Sequence, residues 1–340
     1  MPSGDTVLLA LTVVVALGFD FTNGFHDTAN AVATSISTKA IRPAMAVALS
    51  AVLNLVGAII AIELLHTRVA NTIGGLVAPH GGPALGMIIA ALFGAIAWNL
   101  ITWRAGIPSS SSHALIGGLI GMGVVAYGPG AVHWGQVGPV VIALVTSPIA
   151  GLVLAYIAML VVLNVFRRAH PTAANRRFRL LQILSGAFVS FSHGANDGQK
   201  TMGVITLALV TTHHVSVTGK GFPSPPLWVV FAAALAIGFG TYAGGWRIIR
   251  TLGSRVIRLD PADGFVAQTV AAAVIQGATQ IALPVSTTHV VSGSVMGAGA
   301  TRRFGAVRWG VARNILAAWV VTIPAAGAIA AACAAVISAV

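Results

Sequence analysis

The sequence predicts an all-α polytopic membrane protein built from two related halves. Of its 340 residues, 56% are hydrophobic and only 8% are charged, and the mean hydropathy is +0.90. A soluble protein of this length needs far more polar surface, so the composition favours a membrane. Two different polar motifs each occur twice, in the same order, which indicates an internal duplication.

The first motif lies at the end of the apolar N-terminal segment. Residues 23–30 read NGFHDTAN, and residues 193–200 read HGANDGQK. The two aspartates, Asp27 and Asp197, are separated by half the length of the chain. Each copy collects carboxylate, carboxamide and imidazole groups, the side chains that bind ions.

The second motif combines a proline with a row of hydroxyls and a histidine. Residues 108–113 read PSSSSH, and residues 284–289 read PVSTTH. A glycine-rich apolar run follows each copy. The separation of these two copies along the chain is nearly the same as that of the two aspartates, which predicts that the chain consists of two repeats.

Mostly apolar segments of roughly 20 residues, the length that crosses about 30 Å of hydrocarbon, divide the rest of the chain. The first and sixth carry the ion-binding motif, and we expect the motif to interrupt both helices. The two that follow the proline motifs are short, so half-helices or hairpins are expected there and the predicted count is ten to twelve spans. The segments are 6–38, 43–65, 84–103, 113–133, 138–166, 180–212, 227–246, 265–283, 289–301 and 314–337.

Basic residues predict the orientation of these spans. Lys and Arg cluster in alternate loops, whereas the intervening loops hold only Arg68 and Lys220. By the positive-inside rule the N-terminus is outside. Five spans precede the basic linker 167–179, so the first repeat, 1–166, and the second, 180–340, have opposite orientations. Inverted repeats of this kind are typical of secondary transporters.

The same charges exclude other classes. The net charge of +12 comes from short clusters between apolar runs, without interleaved aromatic residues, so nucleic-acid binding is not expected. Cys333 is the only cysteine, which excludes a disulfide framework or a thiolate metal site.

Of the seven acidic residues, Asp20, Asp27 and Asp197 lie well inside predicted spans, whereas Glu63 lies near a membrane edge. A carboxylate at membrane depth costs several kcal/mol unless it faces a partner, a cavity or a transported ion. A structural pair that holds the repeats together is the alternative, but further ligand-type groups surround both motif aspartates. The predicted sites for a coupling ion or proton are Asp27, Asp197, Asn30 and Asp20.

The hydroxyls after each proline lie where a new helix begins. The first backbone N–H groups of a helix have no intrahelical partner, and the helix dipole favours negative charge there. Such hydroxyls are also ordinary helix caps, but two copies indicate two helix starts that meet at one anion site. The predicted anion-binding residues are Ser110, Ser111, Ser112, Ser286, Thr287, Thr288, Asn23, Asn196 and Lys200.

A site with both anion-binding helix starts and carboxylates requires a second ligand. Two like charges about 4 Å apart repel by roughly 4 kcal/mol at an effective dielectric near 20, so a bare anion and bare carboxylates exclude each other. A cation or proton must therefore enter with the anion, which predicts symport.

These motifs resemble the inorganic phosphate transporter (PiT) family of secondary carriers. GFHDTANA at 24–31 and GANDGQK at 194–200 resemble its two signatures, and the paired proline motifs resemble its central hairpins. The version with Gln199 and Lys200 is most similar to bacterial low-affinity carriers. The resemblance implies a homodimer that imports inorganic phosphate across the inner membrane, driven by a cation gradient and without a resident cofactor.

Two departures from the family concern the coupling ion. Sodium-coupled animal members carry glutamates where this chain has Asn54 and Gln268, so protons are favoured over sodium. Entry of phosphate as a neutral divalent-metal complex, as in similar bacterial carriers, is an open alternative. Lys200 replaces the equivalent of Asn30, and we expect it to pair with the anion or with Asp197.

Three competing functions use the same residues. A sulfate permease has the same fold, although phosphate can donate a hydrogen bond to an ionised carboxylate and the sulfate dianion cannot. A passive channel would move phosphate without a cation. An intramembrane serine hydrolase would use Ser111 or Ser112 with His113 and Asp27, but the duplication would give two equivalent triads and no oxyanion hole is evident.

Overall fold

The computed structural model describes residues 4–65, 68–77, 84–216, 222–302 and 304–339, so Lys220 lies outside the described residues. The described residues form twelve α-helices. These are α1 (Gly4–Ser37), α2 (Pro43–Leu65), α3 (Arg68–Gly74), α4 (Leu85–Ala105), α5 (Ser111–Tyr127), α6 (Trp134–Val165), α7 (Pro171–Thr211), α8 (Leu227–Ala243), α9 (Trp246–Arg250), α10 (Pro261–Gln280), α11 (Thr287–Ala300) and α12 (Trp309–Ala339). One turn of π-helix, Thr251–Arg255, continues α9.

Helices α1 and α7 run through the ion-binding motifs without a break, which corrects the expected interruptions. The motif glycines have another use. A Cβ on Gly24 would collide with the Ile237 carbonyl of α8, and a Cβ on Gly194 would collide with the Asn54 carbonyl of α2. Glycine here allows two helix backbones to approach closely, as is common in membrane helices.

The proline motifs do end one helix and start another. Ser110 caps α5 by accepting a hydrogen bond from the His113 N–H at 3.1 Å, and Ser286 caps α11 in the same way from His289 at 3.2 Å. A break also separates α8 from α9, which are bent by 57° at Gly244 and Gly245. Gly244 has φ +72°, a conformation that favours glycine.

The packing of helices repeats between the two halves. Helix α1 packs on α8 and α7 packs on α2; α5 packs on α12 and α11 packs on α6; α4 packs on α12 and α10 packs on α6. Exchanging the first six helices for the last six leaves this set of pairs unchanged. Each half therefore buries its helices largely against the other half.

Five helices are long and apolar enough to cross a membrane alone: α1, residues 43–61 of α2, α4, α6 and α12. The bent pair α8–α9 makes a sixth if it counts as one span. Helix α7 is not among these five. It contains a polar motif and begins at Pro171, so its first turns carry arginines of the segment that the sequence assigns to the linker. The predicted count of ten to twelve spans and the inverted orientation of the second half stay predictions.

Candidate functional site

The two motif aspartates face each other across α1 and α7. Asp27 is 3% exposed and Asp197 is fully buried. The His193 ring lies between them, with Nε2 3.8 Å from Asp27 Oδ2 and 3.5 Å from Asp197 Oδ2. Ligand atoms of these three residues all lie within 4.8 Å of one another, so together they could hold one cation.

Asp27 accepts hydrogen bonds from both halves of the protein. Ser111 at the start of α5 donates to Oδ2 at 2.8 Å, and Thr288 at the start of α11 donates to Oδ1 at 3.1 Å. The His26 Nδ1–H also donates to Oδ1 at 2.8 Å. The carboxylate of Asp27 therefore joins the two hydroxyl turns that the sequence predicts to bind an anion.

The second nitrogen of His26 extends this network to α4. His26 Nε2 lies 3.2 Å from Thr102 Oγ1 and 3.3 Å from Ser109 Oγ, and these two hydroxyls are 2.7 Å apart. Sequence reasoning missed Thr102. The available signal was the polar pair Asn99 and Thr102, one turn apart on one face of an apolar helix.

Hydrogen bonds to Asn54 fix the orientation of His193. The Thr241 hydroxyl donates to the Ile237 carbonyl at 2.8 Å, so its oxygen accepts from Asn54 Nδ2 at 2.8 Å. Asn54 Oδ1 then faces His193 Nδ1 at 2.9 Å, and an amide oxygen can only accept, so Nδ1 carries the proton. His193 Nε2, which has no hydrogen-bond partner among the described residues, is left to face both aspartates.

Asp197 is paired with Lys200, one of the two partners expected for this lysine. Lys200 Nζ lies 2.6 Å from Asp197 Oδ1 and also donates to Ser112 Oγ at 2.5 Å and to the Val285 carbonyl at 3.1 Å. Lysine almost never lies fully buried without a partner, and this one is 1% exposed. Asp197 is thus neutralised within the chain. Among the described residues, the basic groups within ion-pair distance of Asp27 are the imidazoles of His26 and His193.

Asn30 and Asn23 bind the hydroxyl turns directly. Asn30 Nδ2 donates to Thr288 Oγ1 at 2.9 Å and to Thr287 Oγ1 at 3.4 Å. Ser111 Oγ lies 2.6 Å from Asn23 Oδ1, a second acceptor for the proton that it can give to Asp27. Both asparagines, which the sequence assigns to the site, therefore contact a turn.

The starts of α5 and α11 lie side by side. The rings of His113 and His289, each next to a hydroxyl turn, are 4.4 Å apart between centroids. The Ser110 and Ser286 hydroxyls are engaged as helix caps. His113 Nδ1 has no hydrogen-bond partner in the described part of the chain, so the His113 triad considered for a hydrolase is not assembled.

Two predicted residues take no part in the hydrogen bonds of the hydroxyl turns. Asn196 Nδ2 donates to Thr279 Oγ1 at 2.7 Å and to the Leu283 carbonyl at 3.4 Å, near the end of α10. Asp20 is fully buried, and its carboxylate oxygens have no hydrogen-bond partner among the described residues. Neither side chain makes a hydrogen bond to a hydroxyl turn.

The arrangement is closed to solvent, since Asp27, His193, Asp197 and Lys200 are all at most 3% exposed. It holds donors for an anion and carboxylates for a cation within hydrogen-bonding reach of each other. By charge alone, such an arrangement favours an anion and a cation together over either one alone.

Comparisons with known proteins agree with this chemistry. The model of the Phosphate transporter family matches residues 23–330. A probable low-affinity inorganic phosphate transporter of Bacillus subtilis (strain 168) is 47% identical over 94% of this chain and 93% of its own. The protein with the same description from Rhizobium meliloti (strain 1021) is 45% identical over 96% and 95%.

A solved structure, "The sodium-dependent phosphate transporter", superposes with a TM-score of 0.89 over 98% of this chain and 100% of that one. Its sequence is 24% identical, so this likeness shows the fold. Transporters rather than enzymes share the family and the fold, which excludes the hydrolase. The chain is a multi-pass membrane protein that belongs to the phosphate transporter family.

Proposed function

We propose that this protein imports inorganic phosphate across the cytoplasmic membrane by symport with protons, with its N-terminus outside. The observation that carries the proposal is the set of hydrogen bonds to Asp27. Ser111 and Thr288, one from each hydroxyl turn, both donate to this carboxylate. The hydroxyls best placed to bind phosphate are therefore occupied by an acid of the chain itself.

Phosphate and ionised Asp27 compete for these donors. Like charges about 4 Å apart also repel by roughly 4 kcal/mol at an effective dielectric near 20. A proton on Asp27 removes the repulsion and weakens its hold on Ser111 and Thr288, which can then donate to phosphate. Loss of the proton reverses both effects and expels the anion, so the two ligands move together.

The groups around Asp27 favour a proton over sodium. His26 and His193 face the carboxylate at 2.8 and 3.8 Å, and an imidazole nitrogen can donate or accept a proton. Hard metal cations prefer oxygen ligands. Asn54 and Gln268, which stand where sodium-coupled animal members carry glutamates, use their amides on His193 and Ala31.

The test is uptake of radioactive phosphate into proteoliposomes, with proton and sodium gradients imposed separately. We expect a pH gradient, acidic outside, to drive accumulation in sodium-free medium. A requirement for sodium with no response to pH contradicts proton coupling. Entry of phosphate only down its own gradient, with no response to either ion gradient, would indicate a channel. Competition by sulfate separates the sulfate permease, and parallel uptake of magnesium measures entry as a metal complex.

Asp27→Asn gives the matching variant. An amide cannot exchange a proton, so we expect loss of accumulation driven by pH, while exchange of internal for external phosphate continues. Asp5→Asn is the control, because it makes the same change at an exposed position on the same helix. Accumulation by Asp27→Asn at the rate of the control would contradict the role of Asp27.

A further inference from the structure

Lys200 and Asn30 hold equivalent positions in the duplicated motif, each at the end of its copy, but differ in charge. Lys200 Nζ donates to Ser112 Oγ, and Asn30 Nδ2 donates to Thr288 Oγ1. Ser112 and Thr288 are themselves equivalent, since each directly precedes the histidine of its proline motif. Each side chain thus reaches the equivalent hydroxyl of the opposite half, so the two half-sites share this contact and differ there by one positive charge.

The ammonium of Lys200 lies among three oxygens of different kinds. They are the Asp197 carboxylate at 2.6 Å, the Ser112 hydroxyl at 2.5 Å and the Val285 carbonyl at 3.1 Å. An ammonium has three N–H donors, so all are satisfied. Carboxylate, hydroxyl and carbonyl oxygens are also ligands of hard metal cations. Without its lysine, this half-site would be a set of oxygens around an empty cation position.

The first half-site has an asparagine in place of this lysine. Asp27 and Thr288 supply a carboxylate and a hydroxyl there, 3.1 Å apart, and Asn30 adds no charge. Within the described residues, Asp27 makes ion-pair contacts only with imidazoles. Full neutralisation of the Asp27 carboxylate therefore requires either a proton or another cation from solution.

We propose that Lys200 is a built-in coupling cation, whose ammonium permanently fills the position that a mobile cation fills in the other half-site. The proposal rests on the symport described above. On this proposal, the site neutralises two carboxylates while moving only one cation with each phosphate. Lys200 then determines the number of ions coupled to transport, and its removal creates a second, mobile cation site.

The test is the variant Lys200→Asn, which gives the second half the residue that the first half has at the equivalent position, Asn30. In proteoliposomes under a fixed pH gradient, we expect phosphate uptake in choline medium to fall about tenfold or more, because Asp197 loses its charged partner. Sodium should restore most of the uptake, with one radioactive sodium ion entering for each phosphate. Lys200→Arg keeps the positive charge, so its uptake should not respond to sodium.

Two results overturn the proposal: a folded Lys200→Asn protein that ignores sodium, or one that transports like the wild type in choline. Folding is checked by gel filtration, and Lys200→Gln serves as a second amide variant. If neither amide variant folds, the wild-type protein provides the test. A Hill coefficient near one for the driving cation supports a single mobile site, and a coefficient near two overturns it. The proposed proton symport fails separately, if the wild type itself requires a sodium gradient.

Discussion

At the scale of single residues, Asn54 acts on the two aspartates indirectly, through its hydrogen bond to His193. It accepts from His193 Nδ1 and donates to Thr241 Oγ1, so it fixes which face of the imidazole meets the carboxylates. Groups that orient an ion-binding histidine through its other nitrogen act on its basicity as well as its position. Asn54 is therefore a positioning residue for the Asp27 and Asp197 pair.

We expect Asn54→Leu to reduce phosphate uptake about tenfold or more, because it leaves the His193 Nδ1–H buried without an acceptor, a loss of about 1–3 kcal/mol. Thr241→Val is the control, since it breaks the other bond of the same amide and leaves His193 paired. The measurement is initial uptake rate, with melting temperature as a check on folding. Equal losses in the two variants would contradict a specific role for the histidine bond.

The sequence predicts the chemistry of the site better than its contacts. Duplicated motifs identify Asp27, Asp197 and the hydroxyl turns, and the structure brings them together. Asp27 accepts from both turns, and Asp197 is connected to Ser112 through Lys200. Asn196 shares the motif and yet faces Thr279, because neighbouring residues of one helix point about 100° apart and only one face meets the site. A motif defines a segment, and the face of each residue depends on where the neighbouring helices pack.

At the scale of helices, paired glycines set how closely the two halves approach. Gly297 of α11 faces the Leu152 carbonyl of α6, and Gly121 of α5 faces the carbonyl of Gly327 in α12. A Cβ on either glycine would overlap the opposing backbone. Small residues that let backbones meet take the place of the hydrophobic effect in membrane helix packing.

Gly297→Ala should therefore destabilise the protein, by about 1–3 kcal/mol as for other overpacked contacts. Gly277→Ala in α10 is the matched control, because an added Cβ there meets no atom within 4 Å. Its melting temperature should be unchanged or higher, since alanine favours a helix more than glycine does. Thermal unfolding in detergent compares the two, and equal melting temperatures would show that the α6–α11 approach tolerates a methyl group.

Close packing at a glycine also explains why the predicted interruptions of α1 and α7 are wrong. Gly24 within a polar motif is typical of a helix break, because glycine weakens helices and polar groups often replace broken backbone bonds. The structure instead uses Gly24 to let α8 approach, and the polar side chains turn inward from a continuous helix. The local sequence does not distinguish a helix break from a close helix contact. The contact depends on α8, which belongs to the other half and is distant along the chain.

At the scale of the whole molecule, the halves exchange packing partners. Helix α1 packs on α8, and α7 packs on α2, so the first helix of each half completes the other half. Contacts in the site follow the same rule: Asn30 reaches Thr288, and Lys200 reaches Ser112. A relative movement of the halves would therefore change both half-sites together, which is what alternating access requires.

The inverted orientation of the halves can be tested at one pair of equivalent positions. Gly130 lies in the short helical turn Pro129–Ala131 that follows α5, and Gly305 lies in the turn Phe304–Ala306 that follows α11, and both are exposed. Neither glycine has an atom near enough to meet an added Cβ, so cysteine fits at both. In a Cys333→Ser background, we expect a membrane-impermeant maleimide added to intact cells to label Gly130→Cys and to leave Gly305→Cys unlabelled. Permeabilised cells should give labelling of both and so control for reactivity. Labelling of both positions in intact cells would mean that the halves run parallel, because equivalent turns would then lie on one side of the membrane.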